Sequence, residues 1–497
     1  MGTRKGISLR EMVRRHWLVL AVGYVFIFYD PFSISAKTGQ AVSDAFDRLF
    51  SPFYSDALAM APHSESRDLV DVILIDDLSI LTLSNEENAY LRANDWPLAY
   101  SDHGVVIDAL RRRGYGTVIL DITFYRARRQ DKTFQSLVTR LNYFRNHLDM
   151  KVILSAGENP DELEDSIKPL ISAVSGLGLA GWSGYGDDYP INLLVGCEQP
   201  VRSLAVEGYC SKAGWQECDK LFKAEDSWPV VPKASGMHLS WGMPAQRMAS
   251  SINCDSHPPG AGFLEMMKVG MRNAFKAETV SSEGRQACPP LPTATLSDVF
   301  CTGSDCGDFF SAVESDGERI AVVGVSLPSA RDLFNPPIPG QLPGVYLHAE
   351  ALRNLLHYGP EYLKPIGLTM TLQFTGMPAL TVPFDLILAW PLLLWVGLVL
   401  ARRLVYWRWA RGIRSERSEL AMELGEVMAA LLLLSLIYVG ARSMNRTPGF
   451  LTELVALMPW FWIAIRNERK EMENERTTLA LAACTSEQRT TGGNSAD

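Results

Sequence analysis

The chain has 497 residues, 47% of them hydrophobic and 21% charged, with a formal net charge of -9. That is enough chain for one large domain plus a membrane bundle, or for two or three domains. Basic residues cluster only in short stretches beside apolar runs, which argues against a nucleic-acid partner and for a membrane.

In chain order, residues 1–16 carry Arg4, Lys5, Arg10, Arg14 and Arg15 and are assigned to the cytoplasm. Trp17 to Tyr29 is apolar and uncharged and extends past Asp30 to Ala36, so residues 17–36 have the length of a first transmembrane helix. A cleaved signal peptide is the rival reading, with Ser33-Ile34-Ser35 as its processing signal.

Residues 37–377 are then expected outside the cell membrane as a layered α/β domain. Short β-rich runs end in acidic or glycine residues: Val70 to Ile75 before Asp76-Asp77, Thr117 to Leu120 before Asp121, Lys151 to Leu154, and Ile320 to Val323 before Gly324. Helix-like stretches alternate with them over Gly104 to Arg113, Asp131 to His147, Asp161 to Val174 and Val345 to Leu356. Such alternation predicts a largely parallel sheet covered by helices. Between 190 and 316 prolines, glycines and cysteines accumulate and the periodicity fades, which predicts a cysteine-rich insertion within the α/β domain.

Seven of the eight cysteines, Cys197, Cys210, Cys218, Cys254, Cys288, Cys301 and Cys306, fall in that insertion. In an oxidising compartment most of them are expected to pair, with Cys301 to Cys306 the short local loop best placed to close. Their spacing matches no zinc pattern, and no metal is called. No cofactor is assigned either.

Three more apolar runs follow, 380–401, 420–441 and 450–465, read as transmembrane helices two to four. The loop 402–418 between the first two carries six arginines and is placed in the cytoplasm by the positive-inside rule, as is the charged tail 466–497. The uncharged stretch Ile366 to Phe384 is a further span that the pattern leaves open. Asp30, Asp385, Arg442, Arg446 and Glu453 lie near the outer ends of the expected spans, where charge is costly, and are expected to form an ionic collar beneath the outer domain. Separate snorkelling of each side chain to the interface is the plain alternative.

Several segments together resemble the CHASE type 2 extracellular sensor domain family. They are Val72-Ile73-Leu74-Ile75-Asp76-Asp77, Trp96-Pro97-Leu98 with Ser101 and His103, and Gly114 to Asp121 with Phe124. The second half follows as Ala321 to Gly324, Asp332-Leu333-Phe334, and Pro343-Gly344-Val345-Tyr346-Leu347-His348-Ala349-Glu350 running on to Leu356. The resemblance implies one N-terminal span, an outer sensor and three further spans, usually followed by a cytoplasmic output domain. No such domain is legible after residue 465, so a separate output protein is the expected partner.

Asp76, Asp77 and Asp121 stand where strands run into loops, and carboxylates at that edge of a parallel sheet can hold a polar ligand. With Trp96 and Asp332 they form the candidate ligand set, and loop capping by the same acids is the structural alternative. No nucleophile-base constellation, phosphate loop or metalloprotease helix is present, so no enzyme activity is expected. The expected function is a membrane-anchored sensor or signal-relay subunit of the inner membrane of a bacterium, with its large domain in the periplasm or outside. A structural or assembly subunit that keeps the fold as a docking module is the alternative, and association with further copies of the chain is left open.

Overall fold

The computed structural model describes residues 69–362 apart from 182–187, 195–199, 227–235, 253–288, 302–308, 311–318 and a few shorter stretches; beyond them it describes Leu49, 364–365, 369–372, 380–383 and 446–447. The chain divides into two compact units. One comprises Asp44–Pro365 with Gly440–Thr447, the other Met1–Ser43, Ile366–Val439 and Pro448–Asp497.

The first unit is built on strands that read as unbroken apolar runs because both of their faces are covered. All six residues of β1, Val70–Ile75, are buried, and six of the seven in Arg319–Val325. In chain order the sheet uses β1, β2 (Tyr115–Thr123), β3 (Lys151–Ser155), β4 (Gly176–Gly178), β9 (Thr293–Thr295) and β10 (Arg319–Val325). Their spatial order is β4-β3-β2-β10-β1-β9 and every pairing is parallel. β10, late in the sequence, is therefore inserted between β1 and β2, with Ile73 beside Val323 and Val323 beside Leu120.

Alternate residues along each strand feed two separate cores. Ile73, Ile75, Val118, Leu120, Val152, Leu154, Ala321 and Val323 meet one helical layer. That layer holds α2 (Tyr100–Arg112), α3 (Phe134–His147), α4 (Lys168–Ala173) and α7 (Leu296–Phe300), with α1 (Asp77–Ser84) beside α7. Its α3 buries Leu137, Val138, Leu141 and Phe144, a stripe at helical spacing. Val72, Leu74, Ile119, Ile153, Ile320 and Val322 face the other layer, α5 (Leu204–Ala213), α6 (Trp215–Asp226) and α8 (Val345–Tyr358). α8 is buried continuously from Val345 to Leu355, as befits a helix wrapped by sheet and neighbours.

The cysteine-rich stretch is more integral than expected. The short antiparallel pairs β5 (Asp188–Pro190) with β8 (Gly236–His238) and β6 (Asn192–Leu194) with β7 (Pro200–Arg202) are local additions. But α5 and α6 are two of the three helices of one covering layer, β9 is an edge strand of the main sheet, and α7 lies on the connection to β10. Where it is described, the stretch completes the α/β fold instead of interrupting it. Cys210 on α5 is bonded to Cys218 on α6, which ties this helix pair. Cys301 is also disulfide-bonded; Cys197, Cys254, Cys288 and Cys306 lie outside the described residues, so the expected Cys301 to Cys306 closure does too.

After α8 the chain passes through a 3-10 turn, Gly359–Glu361, into β13 (Lys364–Pro365), which pairs in parallel with β16 (Arg446–Thr447). β11 (Leu333–Phe334) and β12 (Leu342–Pro343) form a small antiparallel pair between β10 and α8.

In the second unit only an antiparallel pair is described, β14 (Thr369–Leu372) with β15 (Leu380–Pro383). The open question over 366–384 is thereby narrowed: both described parts of it are strands, in keeping with its threonines and prolines. β15 also takes the first residues of the run expected to span at 380–401. Among the described residues no helix is long and apolar enough to cross a membrane; the remaining spans 17–36, 420–441 and 450–465, and the rest of 380–401, lie outside them.

Candidate ligand crevice at the carboxyl edge of the sheet

In open parallel sheets a crevice forms at the carboxyl ends of strands whose following helices go to opposite faces. Here β2 is followed by α3 on one face and its neighbour β10 by α8 on the other. Asp121 lies on β2 just beyond Leu120, the last residue in register with β10. Gly324 on β10 is required as glycine, because a Cβ there would collide with Val345 at the start of α8. That close approach brings His348, one turn further on, to Asp121: Nε2 lies 3.7 Å from Oδ1, with the two side chains only 7% and 10% exposed.

The other imidazole nitrogen, Nδ1, is 2.8 Å from the Tyr189 hydroxyl, whose oxygen also accepts a hydrogen bond from the Ala205 amide near the start of α5. The Tyr189 and His348 rings meet edge to face at 5.6 Å. Tyr189 thus fixes the imidazole from one side, while Nε2 faces an acid too distant for a hydrogen bond. Asp332 closes the cluster. Its carboxylate packs against Gly344, where any side chain would clash, and its carbonyl accepts from the Gly344 amide at 2.9 Å.

Burial pushes the Asp121 carboxyl above its ordinary value; His348 pulls it down and Asp332 pushes it up again. Burial likewise holds the Tyr189 phenol well above its usual range. Asp121 meets no hydrogen-bond donor among the described residues although its side chain is nine-tenths covered.

The opposite side of the β2 terminus is filled. Trp96 packs on the core, 6.4 Å edge-on from His103, and His103 lies 5.1 Å edge-on from Phe124. Burial and the Arg128 charge lower the His103 pKa to about 4, against a smaller push from Asp131. Arg128 donates to the carbonyls of Pro97 and Leu98 and to Asp131, and stacks 4.6 Å from the centre of the Tyr100 ring. Asp131 in turn accepts from the Tyr100 and Thr133 amides at 2.8 and 2.9 Å. Its side chains satisfy one another.

Of the five candidates from sequence, the structure therefore brings together Asp121 and Asp332. Asp76 caps α1, its Oδ1 accepting from the Ser79 amide at 2.9 Å, and Asp77 is exposed in the first turn of that helix. Trp96 is a packing residue on the filled side. His348 and Tyr189 were not singled out. A lone histidine on an apolar helix reads as core, and Tyr189 sits at the border of the stretch where periodicity fades. Of the expected collar, Asp30, Asp385, Arg442 and Glu453 lie outside the described residues, and of Arg446 only the backbone is described, in β16. Among the described residues there is no group of three or more histidines, cysteines or acids able to hold a metal ion.

The sequence model of the CHASE2 domain family matches residues 20–399, most of the chain, and the protein belongs to that family. It is a family of extracellular sensor domains. No curated protein and no solved structure matches the chain.

Proposed function

We propose that the protein is a membrane-anchored extracytoplasmic sensor whose crevice binds a small ligand through a hydrogen-bond-donating, amine-like group and whose spans relay the change to a separate partner. The observation that carries the reading is Asp121, almost covered yet without a donor, beside His348 and Asp332. A ligand amine supplies both the missing hydrogen bond and the charge that two neighbouring carboxyls favour. Further support comes from membership of a sensor family and from the Cys210–Cys218 disulfide, which suits an oxidising compartment. The β13–β16 pairing supports the topology, since it sets 364–365 and 446–447 on the same side of any membrane.

The test is a thermal-shift titration of the full-length protein in lipid nanodiscs, with ethanolamine as the amine probe and inorganic phosphate as the control. Stabilisation by ethanolamine that disappears in Asp121→Asn is the expected result. Stabilisation by phosphate alone, or an amine effect of equal size in the variant, rejects the crevice reading. A partner that co-purifies equally with both proteins and whose activity ignores the probe favours the assembly-subunit alternative.

A further inference from the structure

β13 and β16 are far apart in sequence yet run in parallel, Lys364 opposite Arg446 and Pro365 opposite Thr447. Parallel strands advance in the same direction, so the two chains leave the α/β unit side by side. The next residues, Ile366 and Pro448, both begin segments of the other compact unit. Gly440–Thr447 is grouped with the α/β unit although the chain on either side of it is not. Upstream, β13 is joined to α8 only by the turn Gly359–Glu361 and Tyr362–Leu363, and it also touches β8. α8 itself is buried from Val345 to Leu355, and from His348 to Tyr358 it covers about 15 Å at 1.5 Å per residue.

We propose that the β13–β16 pair is the output junction of the sensor: a displacement of α8 reaches two chain segments at once and is passed to the apolar runs 380–401 and 450–465 together. The crevice as the source of that displacement rests on the reading above; the junction does not. A pair of only two residues on each strand is easily made or broken, which suits an element with two states. Coupling two segments at one point moves a bundle as a body instead of one helix alone.

Amide hydrogen exchange on the full-length protein in lipid nanodiscs tests this, using His348→Ala at the crevice end of α8 and Gly359→Ala at its far end. Gly359 has φ +56°, so an added side chain strains the turn whatever happens in the crevice. We expect Gly359→Ala to speed exchange at 446–447 by about fivefold or more while β1, β2 and β10 stay protected, and His348→Ala to alter the same amides by a smaller factor. Wild-type exchange at 446–447 as fast as in an unstructured peptide overturns the junction, and so does Gly359→Ala without effect there. An effect of Gly359→Ala without one of His348→Ala upholds the junction and counts against the crevice. Should Gly359→Ala fail to fold, the pair Lys364→Cys with Arg446→Cys decides: bridging above the yield of Lys364→Cys with Ser415→Cys supports the junction, and equal yield overturns it.

Discussion

Two aspartates are buried in one sheet, at opposite edges, and their surroundings differ. Asp71, near the amino end of β1, is fully covered and accepts from the Tyr115 hydroxyl at 2.5 Å while pairing with Arg319 and Arg247. Asp121, at the carboxyl end of β2, has one imidazole at 3.7 Å and a second acid nearby. The first is a closed structural network that anchors the segment carrying Arg247 to the sheet. The second holds a nearly covered carboxyl with no hydrogen-bond donor among the described residues, which is where a binding function places its cost.

The largest effect is expected at the closed edge. Asp71→Ala leaves two guanidinium groups against a buried space, and breaking such a network by removing one partner costs about 3–5 kcal/mol. Denaturant unfolding of the full-length protein followed by tryptophan fluorescence measures it. A loss below about 1 kcal/mol would make the network a surface-like pair and erase the contrast with Asp121.

Next comes the filled side of the β2 terminus. His103 is buried neutral with a pKa of about 4 against an ordinary 6.5, so between these values the unfolded chain binds the proton more readily. Stability therefore falls as pH drops through that window, by about 3 kcal/mol in all. His103→Leu is expected to flatten that part of the stability-pH curve. Asp121 contributes the opposite slope: its raised pKa makes the folded state the better proton acceptor, and that contribution weakens stability as pH rises from the ordinary aspartate value to the raised one. Unchanged slope in His103→Leu would show that another group dominates.

The Cys210–Cys218 bridge ranks third. Its cysteines are eight positions apart, and closing so short a loop stabilises by about 2.5 kcal/mol in the chain-entropy account. The double variant Cys210→Ser with Cys218→Ser should lose that much and expose the α5–α6 pair to protease before the sheet unfolds. Loss of the whole domain at once would mean that α5 and α6 are needed for the sheet.

What the sequence made legible follows from burial. β1, β2, β3 and β10 read clearly because central parallel strands are apolar on both faces, and α2, α3 and α8 because their buried apolar residues recur along 13 to 14 residues. β4 and β9 escaped: Gly176-Leu177-Gly178 and Thr293-Ala294-Thr295 are too short and too weakly apolar to signal edge strands. The helix expected over Asp161 to Val174 is shortened, with 3-10 turns at Pro160–Glu162 and Asp165–Ile167 and the α-helix confined to Lys168–Ala173. At the crevice Asp121 was legible as an acid ending a strand. Its neighbour Asp332 was a candidate too, but Tyr189 and His348 were not, because they are 159 positions apart and only the fold joins them.

The smallest expected effect is also the most diagnostic. Asp121→Asn keeps the shape of the side chain, removes a charge that burial and Asp332 disfavour, and replaces one acceptor with an amide that can donate to its surroundings. A residue kept for stability should weaken the fold when changed, as Asp71 is expected to do. A residue kept for binding at the expense of stability should do the reverse. Asp121→Asn is therefore expected to leave the protein equally stable or more stable by up to about 1 kcal/mol at neutral pH. The gain should shrink at acid pH, where the wild-type carboxyl is protonated. Measured as a difference in unfolding free energy across the pH range, a loss of 2 kcal/mol or more would place Asp121 with Asp71 as a structural acid and remove the asymmetry between the two edges of the sheet.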